Sequence, residues 1–142
     1  MTVRVEVENR SGFEVDEAAA REAIARTLAA EGVADGEVGL QIVEPQEMAA
    51  LNAAHRGRAA ATDVLSFPVD GAGELPPELP RQVGDVVVCP AYALEHGEPL
   101  ALLLVHGALH LAGHDHETDG GAMLRRQDEL VAETEPVASR PA

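Results

Sequence analysis

The chain contains no lysine, no tryptophan and a single cysteine, Cys89. One cysteine excludes an intramolecular disulfide and fits a reducing compartment. Aromatic residues are scarce as well: only Phe13, Phe67 and Tyr92 occur, too few for the stacking platforms on which single-strand binders rest successive bases. No long hydrophobic run is present. The longest, Leu100 to Val105, falls far short of the roughly 20 residues a membrane-spanning helix requires. The N-terminal MTVRVEVENR alternates charged and apolar residues, which is not the pattern of a signal peptide. These absences exclude membrane and disulfide-scaffold classes and predict a cytoplasmic protein.

Basic charge is the other shortage. Ten arginines stand against 25 acidic residues, for a formal net charge of −15. Such a surplus repels polyanions at long range and argues against a general nucleic-acid binder, which carries a basic patch and a high pI. What remains is ordinary for a globular protein: 142 residues, 46% of them hydrophobic. A chain of this length buries about two-thirds of its unfolded surface and needs no covalent staple.

Residues 2–8 (TVRVEVE) alternate as a half-buried strand with Val3, Val5 and Val7 on one face. Asp16 caps an Ala-rich helix over 17–31, stopped by Gly32. Val38, Leu40 and Ile42 mark a second strand, and Pro45 opens a short helix ending near His55. A third strand covers Asp63 to Phe67, closed by Pro68. The Pro- and Gly-rich stretch 70–82 is an exposed loop. GDVVVC (84–89) reads as a strand covered on both faces. A short helix over 90–96, an apolar helix from Pro99 to Gly113 and an amphipathic helix over 117–133 follow. The order predicts a single α/β (α+β) domain over 1–133, with a small mixed sheet of about four strands and about five helices. Residues 134–142 are expected to form a frayed, disordered tail.

Four of the six histidines fall within HGALHLAGHDH (106–116). His106 and His110 are one helical turn apart and can present two ring nitrogens to one point. Gly113 lets the chain turn back and return His116 to that point. The surrounding helix is apolar nearly all round, and burying imidazoles without partners costs about 1–3 kcal/mol each. A shared cation relieves two or three of them together. Three neutral imidazoles leave zinc its full charge and an open fourth position, as catalytic sites require, where water is activated. Nickel and copper suit the same donors. The H-x3-H-x2-G-x2-H spacing is that of the metzincin proteases, but those place a glutamate directly after the first histidine. Here that position is Gly107, so peptide hydrolysis becomes a minor reading.

Three blocks, LNAAHRGRAAATDVLSFP (51–68), VGDVVVCP (83–90) and HGALHLAGHDH (106–116), resemble the YbeY family of bacterial rRNA maturation factors, metal-dependent endoribonucleases specific for single strands. The likeness extends from about residue 38 to 130. It implies a zincin-like His-rich helix, one Zn²⁺ (or Ni²⁺ or another divalent ion) held by His106, His110 and His116, and Arg56 as the basic group of the catalytic cleft. It further implies an rRNA precursor as substrate, processing of the 16S 3′ end, and ribosome or small-subunit partners, with no DNA and no membrane. Two departures stand out. His114 occupies a position commonly Tyr in the family, and Leu103 stands where a polar residue often precedes the first ligand.

Phosphodiester cleavage develops charge on non-bridging oxygens, which a guanidinium meets with two parallel hydrogen bonds. Arg56 is the candidate, the alternative being a solvated loop arginine. Arg58 and Arg81 could contact neighbouring phosphates or simply face water. Asp63, Asp85 and Asp115 could orient a ligand ring or serve in caps and turns. Cys89, behind three valines, is a small buried apolar group. No general base is evident. A domain of charge −15 is expected to hold free RNA weakly, so productive binding is expected to need the ribosome or a protein partner. Two other readings stay open: a non-enzymatic ribosome-assembly factor whose metal fixes the fold, and a metal hydrolase with another substrate.

Overall fold

The computed structural model describes residues 2–57, 62–115 and 120–142. Strand β1 (Val3–Asn9) buries Val3 and Val5 and exposes Arg4 and Glu6, as the period-2 pattern requires. Helix α1 (Glu17–Ala30) starts where the Asp16 carboxylate accepts from the Ala19 N–H at 3.1 Å. Gly32, at φ 86°, ends it. Strand β3 (Gly36–Ile42) runs parallel to β1 and to β5 (Gln82–Val88), while β4 (Val64–Pro68) lies antiparallel on β5. The sheet order is β1-β3-β5-β4, so β5 is central and β4 is an edge. This is the mixed four-stranded sheet that the strand order predicts.

The apolar run of β5 follows from that position. Val86 and Val88 join Val38, Leu40, Ile24, Leu28 and Leu104 on the side of α1 and α4 (Leu100–Leu111). Val87 and Cys89 pack on the other side, with Met48 of α2 (Pro45–Arg56) and Leu65 of β4. Over Val86–Cys89 neither face meets water, so no polar alternation appears there. A short helix α3 (Pro90–Glu95) leads from β5 toward α4. Helix α4 packs against β4 and β5, and Gly107 permits the approach. A Cβ there would stand 2.8 Å from Val86 Cγ1 and 3.3 Å from Ser66 Oγ. Ser66 Oγ donates to the Gly107 carbonyl at 3.0 Å and ties helix to strand.

Two expectations need correction. The last helix, α5, spans Ala122–Val131 rather than starting at Glu117. Residues 116–119 lie outside the described residues, and Gly120 and Gly121 take φ 67° and 91°, which are not helical. The segment 134–142 is not a frayed tail. Strand β6 (Ser139–Pro141) pairs antiparallel with β2 (Phe13–Val15). Arg140 reaches Glu14 at 2.8 Å, and Val137 is buried in the main core. Three-residue strands are too short to show a period, and this pairing joins the two ends of the chain. Among the described residues, no helix is long and apolar enough to cross a membrane.

Candidate metal centre and active cleft

One turn of α4 separates His106 from His110, and their ring centroids lie 4.7 Å apart at an interplanar angle of 76°. Both are half-buried. His106 Nδ1 is 2.7 Å from Gln127 Oε1, contributed by α5. His110 Nδ1 is 2.9 Å from the carbonyl of His114. An amide oxygen and a peptide carbonyl only accept, so each ring carries its proton on Nδ1 and its lone pair on Nε2. Second-partner hydrogen bonds of this kind set the tautomer and the aim of metal-ligating imidazoles. The donor set therefore fits a divalent metal such as zinc. The expected third ligand, His116, lies outside the described residues. Among the described residues no group of three His, Cys, Asp or Glu converges on one point.

The turn after α4 is fastened from outside. The Gly113 N–H bonds to the His110 carbonyl at 3.0 Å and the His114 N–H to the Leu109 carbonyl at 3.0 Å, with Gly113 at φ 106°. His114 is engaged by another partner: its Nε2 is 2.5 Å from Glu31 Oε1, at the end of α1. The other oxygen of Glu31 accepts from Arg126 Nε of α5 at 2.8 Å. Burial works to raise the Glu31 pKa, but the hydrogen bonds from Arg126 and His114 outweigh it and hold the carboxylate below its ordinary range. Thus the position that departs from the family pattern links three helices and places the carbonyl that His110 uses.

These histidines open on a cavity of about 460 Å³. Its opposite wall is β4, through Val64, Leu65, Ser66 and Pro68, and its rim carries His55, His114 and Asp115. The His55 ring leans on Phe67, centroids 4.4 Å apart. Arg56, the expected catalytic arginine, follows His55 as the last residue of α2. Arg58 lies outside the described residues. Arg81 is occupied elsewhere, its guanidinium donating to the Gly71 and Gly73 carbonyls at 2.7 and 2.8 Å. It staples the 70–82 loop.

Of the carboxylates weighed as ring-orienting groups, Asp85 is on the wrong side. Val86 faces Gly107 of α4, so its neighbour Asp85 faces the opposite side of the sheet, where it sits over Gly39. Burial raises its pKa. The Asp63 carbonyl accepts from the Cys89 N–H. Cys89 is fully buried and burial pushes its thiol up, which suits a packing role and no nucleophile. Gly107 explains the missing metzincin glutamate in space: a side chain there would collide with Val86 of β5 and press on Ser66 and Val64 of β4.

The endoribonuclease YbeY family model matches residues 5–135. The chain belongs to this family. An endoribonuclease YbeY of Chloroflexus aurantiacus is 38% identical over 92% of this chain and 95% of its own length. That of Micrococcus luteus is 38% identical over 97% and 94%, and that of Halorhodospira halophila 47% over 58% of each. The solution structure of a Thermotoga maritima protein superposes with TM-score 0.55 at 27% identity, covering 93% of this chain and 88% of the other. The family resemblance carried by the three motif blocks is thereby established along nearly the whole chain.

Gln127, Glu31, Ser66 and His55 escape sequence reasoning. Gln127 is 21 residues from the ring it supports and Glu31 is 83 from His114; no local spacing announces either. Only His55 carries a signal, as a further histidine directly before Arg56.

Proposed function

We propose that this chain is a zinc-dependent endoribonuclease that hydrolyses phosphodiester bonds of single-stranded RNA. Its place is rRNA processing at the 16S 3′ end and ribosome maturation in the cytoplasm. Membership of an endoribonuclease family supports the activity. The observation that carries the metal is the pair of α4 imidazoles, each with Nδ1 committed to an acceptor, at the wall of a cleft of about 460 Å³.

His106, His110 and His116 would hold the ion, with nickel or another divalent metal meeting the same donors. Zinc so bound supplies Lewis acidity toward the scissile phosphodiester. The chain's own residues do the rest. Gln127 and the His114 carbonyl keep both ring protons on Nδ1. Arg56, which directly follows the cleft residue His55, would donate in parallel to the phosphate oxygens on which charge builds, and Arg58 would contact a neighbouring phosphate.

Charge supports a docked substrate over a free one. Arg10 is tied to Glu47 and Glu8, Arg126 to Glu31 and Arg140 to Glu14. With most described cations neutralised by carboxylates, little remains to attract a polyanion, and small-subunit components would supply the missing affinity. The reading is tested with Arg56→Ala and His110→Ala. Loss of metal in elemental analysis of His110→Ala, and loss of rRNA-precursor cleavage at unchanged metal content in Arg56→Ala, are the expected results. Full cleavage by a folded, metal-loaded Arg56→Ala protein would remove the catalytic role given to Arg56, and absence of cleavage by the metal-loaded unmodified chain would favour a non-enzymatic factor with a fold-fixing metal.

A further inference from the structure

Strand β4 is bonded along one side only, and two hydrogen bonds set its phase. The Cys89 N–H donates to the Asp63 carbonyl at 3.0 Å, and the Val69 N–H to the Val83 carbonyl at 3.1 Å. With the β4–β5 register Val64↔Val88 through Pro68↔Gly84, positions 63, 65, 67 and 69 turn their backbone groups toward β5. Alternation sends the N–H and C=O of Val64 and Ser66 to the outer side. Among the described residues no strand pairs there. Pro68, the next outward position, lacks an N–H and is tolerated for that reason.

The strand that carries this edge borders the cavity lined by His106 and His110: Val64, Leu65, Ser66 and Pro68 are among its lining residues. The Ser66 hydroxyl is spent on the Gly107 carbonyl, so the backbone is what Ser66 offers the cleft. The edge presents two donors and their companion acceptors, repeating at about 6.8 Å, twice the rise of an antiparallel strand. Such a row is a template for an extended ligand.

The chemistry of that row suits a ligand with donor and acceptor side by side, an extended peptide included, and the endoribonuclease reading above turns the choice toward RNA. A phosphate only accepts, and the carbonyls beside each N–H repel it. An unpaired nucleobase offers donor and acceptor side by side on its Watson–Crick edge. In a duplex that edge is already engaged. Neutral peptide groups also release no counter-ions, so they can serve a chain of charge −15 that keeps few cations for RNA.

We propose that the outer edge of β4, through the N–H and C=O groups of Val64 and Ser66, binds unpaired nucleobases of single-stranded RNA beside the histidine pair. The inference rests on the endoribonuclease reading above and supplies its preference for single strands.

The test uses the full chain with a short, unstructured, fluorescein-labelled oligoribonucleotide. Binding is followed by anisotropy and by amide chemical shifts of the protein. Saturating RNA should move the Val64 and Ser66 amide signals downfield. Ser66→Pro and Val64→Pro delete one outward N–H each without touching the β5 ladder. Each should bind about 3- to 10-fold more weakly than the matching alanine variant, which keeps the N–H and sets the baseline. Annealing the oligonucleotide to its complement should abolish the shifts. Proline variants that fold and bind as their alanine counterparts do would overturn the proposal. If neither proline variant folds, the unmodified chain decides: Val64 and Ser66 amides unmoved by saturating RNA overturn it. Amides that respond to an extended peptide and not to RNA overturn it equally. A chain that binds RNA through this edge yet never cleaves it supports the proposal while defeating the hydrolase reading. One that binds and cleaves RNA with those amides silent does the reverse.

Discussion

Gln127 is nearly fully buried on α5, and its amide oxygen accepts from the Nδ1–H of His106. Gln127→Leu keeps the volume and removes that acceptor. Zinc affinity, read by competition with a chromophoric chelator, should fall about 10- to 100-fold, as it does when such supporting bonds are cut. Glu31 makes the second prediction. Its pKa is depressed by Arg126 and His114 against the opposing effect of burial, so the folded state binds its proton less readily than the unfolded chain. The stability it contributes is present at neutral pH and is lost as pH falls through the depressed folded value. Glu31→Gln should therefore lower the urea midpoint at pH 7, and the gap from the unmodified chain should close as the titration passes below the carboxylate range. A gap that persists at low pH would place the effect in packing instead.

At the scale of elements, α4 is held by how closely it can approach β4 and β5. Alanine at position 107 adds a methyl 2.8 Å from Val86 Cγ1, and both partners are buried in the core, so the helix must lift. Helix propensity alone would reward Gly→Ala by about 1 kcal/mol. Overpacking costs about 1–3 kcal/mol, and the clash should prevail, with chemical denaturation showing Gly107→Ala less stable than the parent. The histidine spacing on α4 was legible in the sequence because a helix has a fixed period. So were β1, β3 and β5, whose residues alternate or run continuously apolar according to which faces they bury. The start of α5 was not legible, since the amphipathic pattern extends back through Gly120 and Gly121, whose positive φ values break the helix that the pattern alone predicts.

For the whole molecule, the two ends of the chain meet. Removing residues 134–142 deletes β6, its pairing with β2 and the buried Val137. Val137 burial alone is worth about 1.5–3 kcal/mol, so the truncated chain should unfold at clearly lower urea concentration. An unchanged midpoint would show that the closing strand contributes nothing. The same large-scale organisation decides what the cleft is made of: the end of α2, the edge strand β4, and α4 with the turn that follows it come from three separate stretches.

What the sequence determined by itself was whatever depends on local period and composition. The helix that aligns His106 with His110, the covered strand at 84–88, the glycine that excludes a base beside the first histidine, and the motif blocks that mark the family are all written in residues close together along the chain. What only the tertiary structure decided was which distant groups meet: Gln127 on His106, Glu31 and Arg126 on His114, Asp85 on the far face of the sheet, β6 on β2, and the outward phase of β4. Each depends on packing across tens of residues, where burial and hydrogen-bond satisfaction choose the partner and no sequence spacing records the choice.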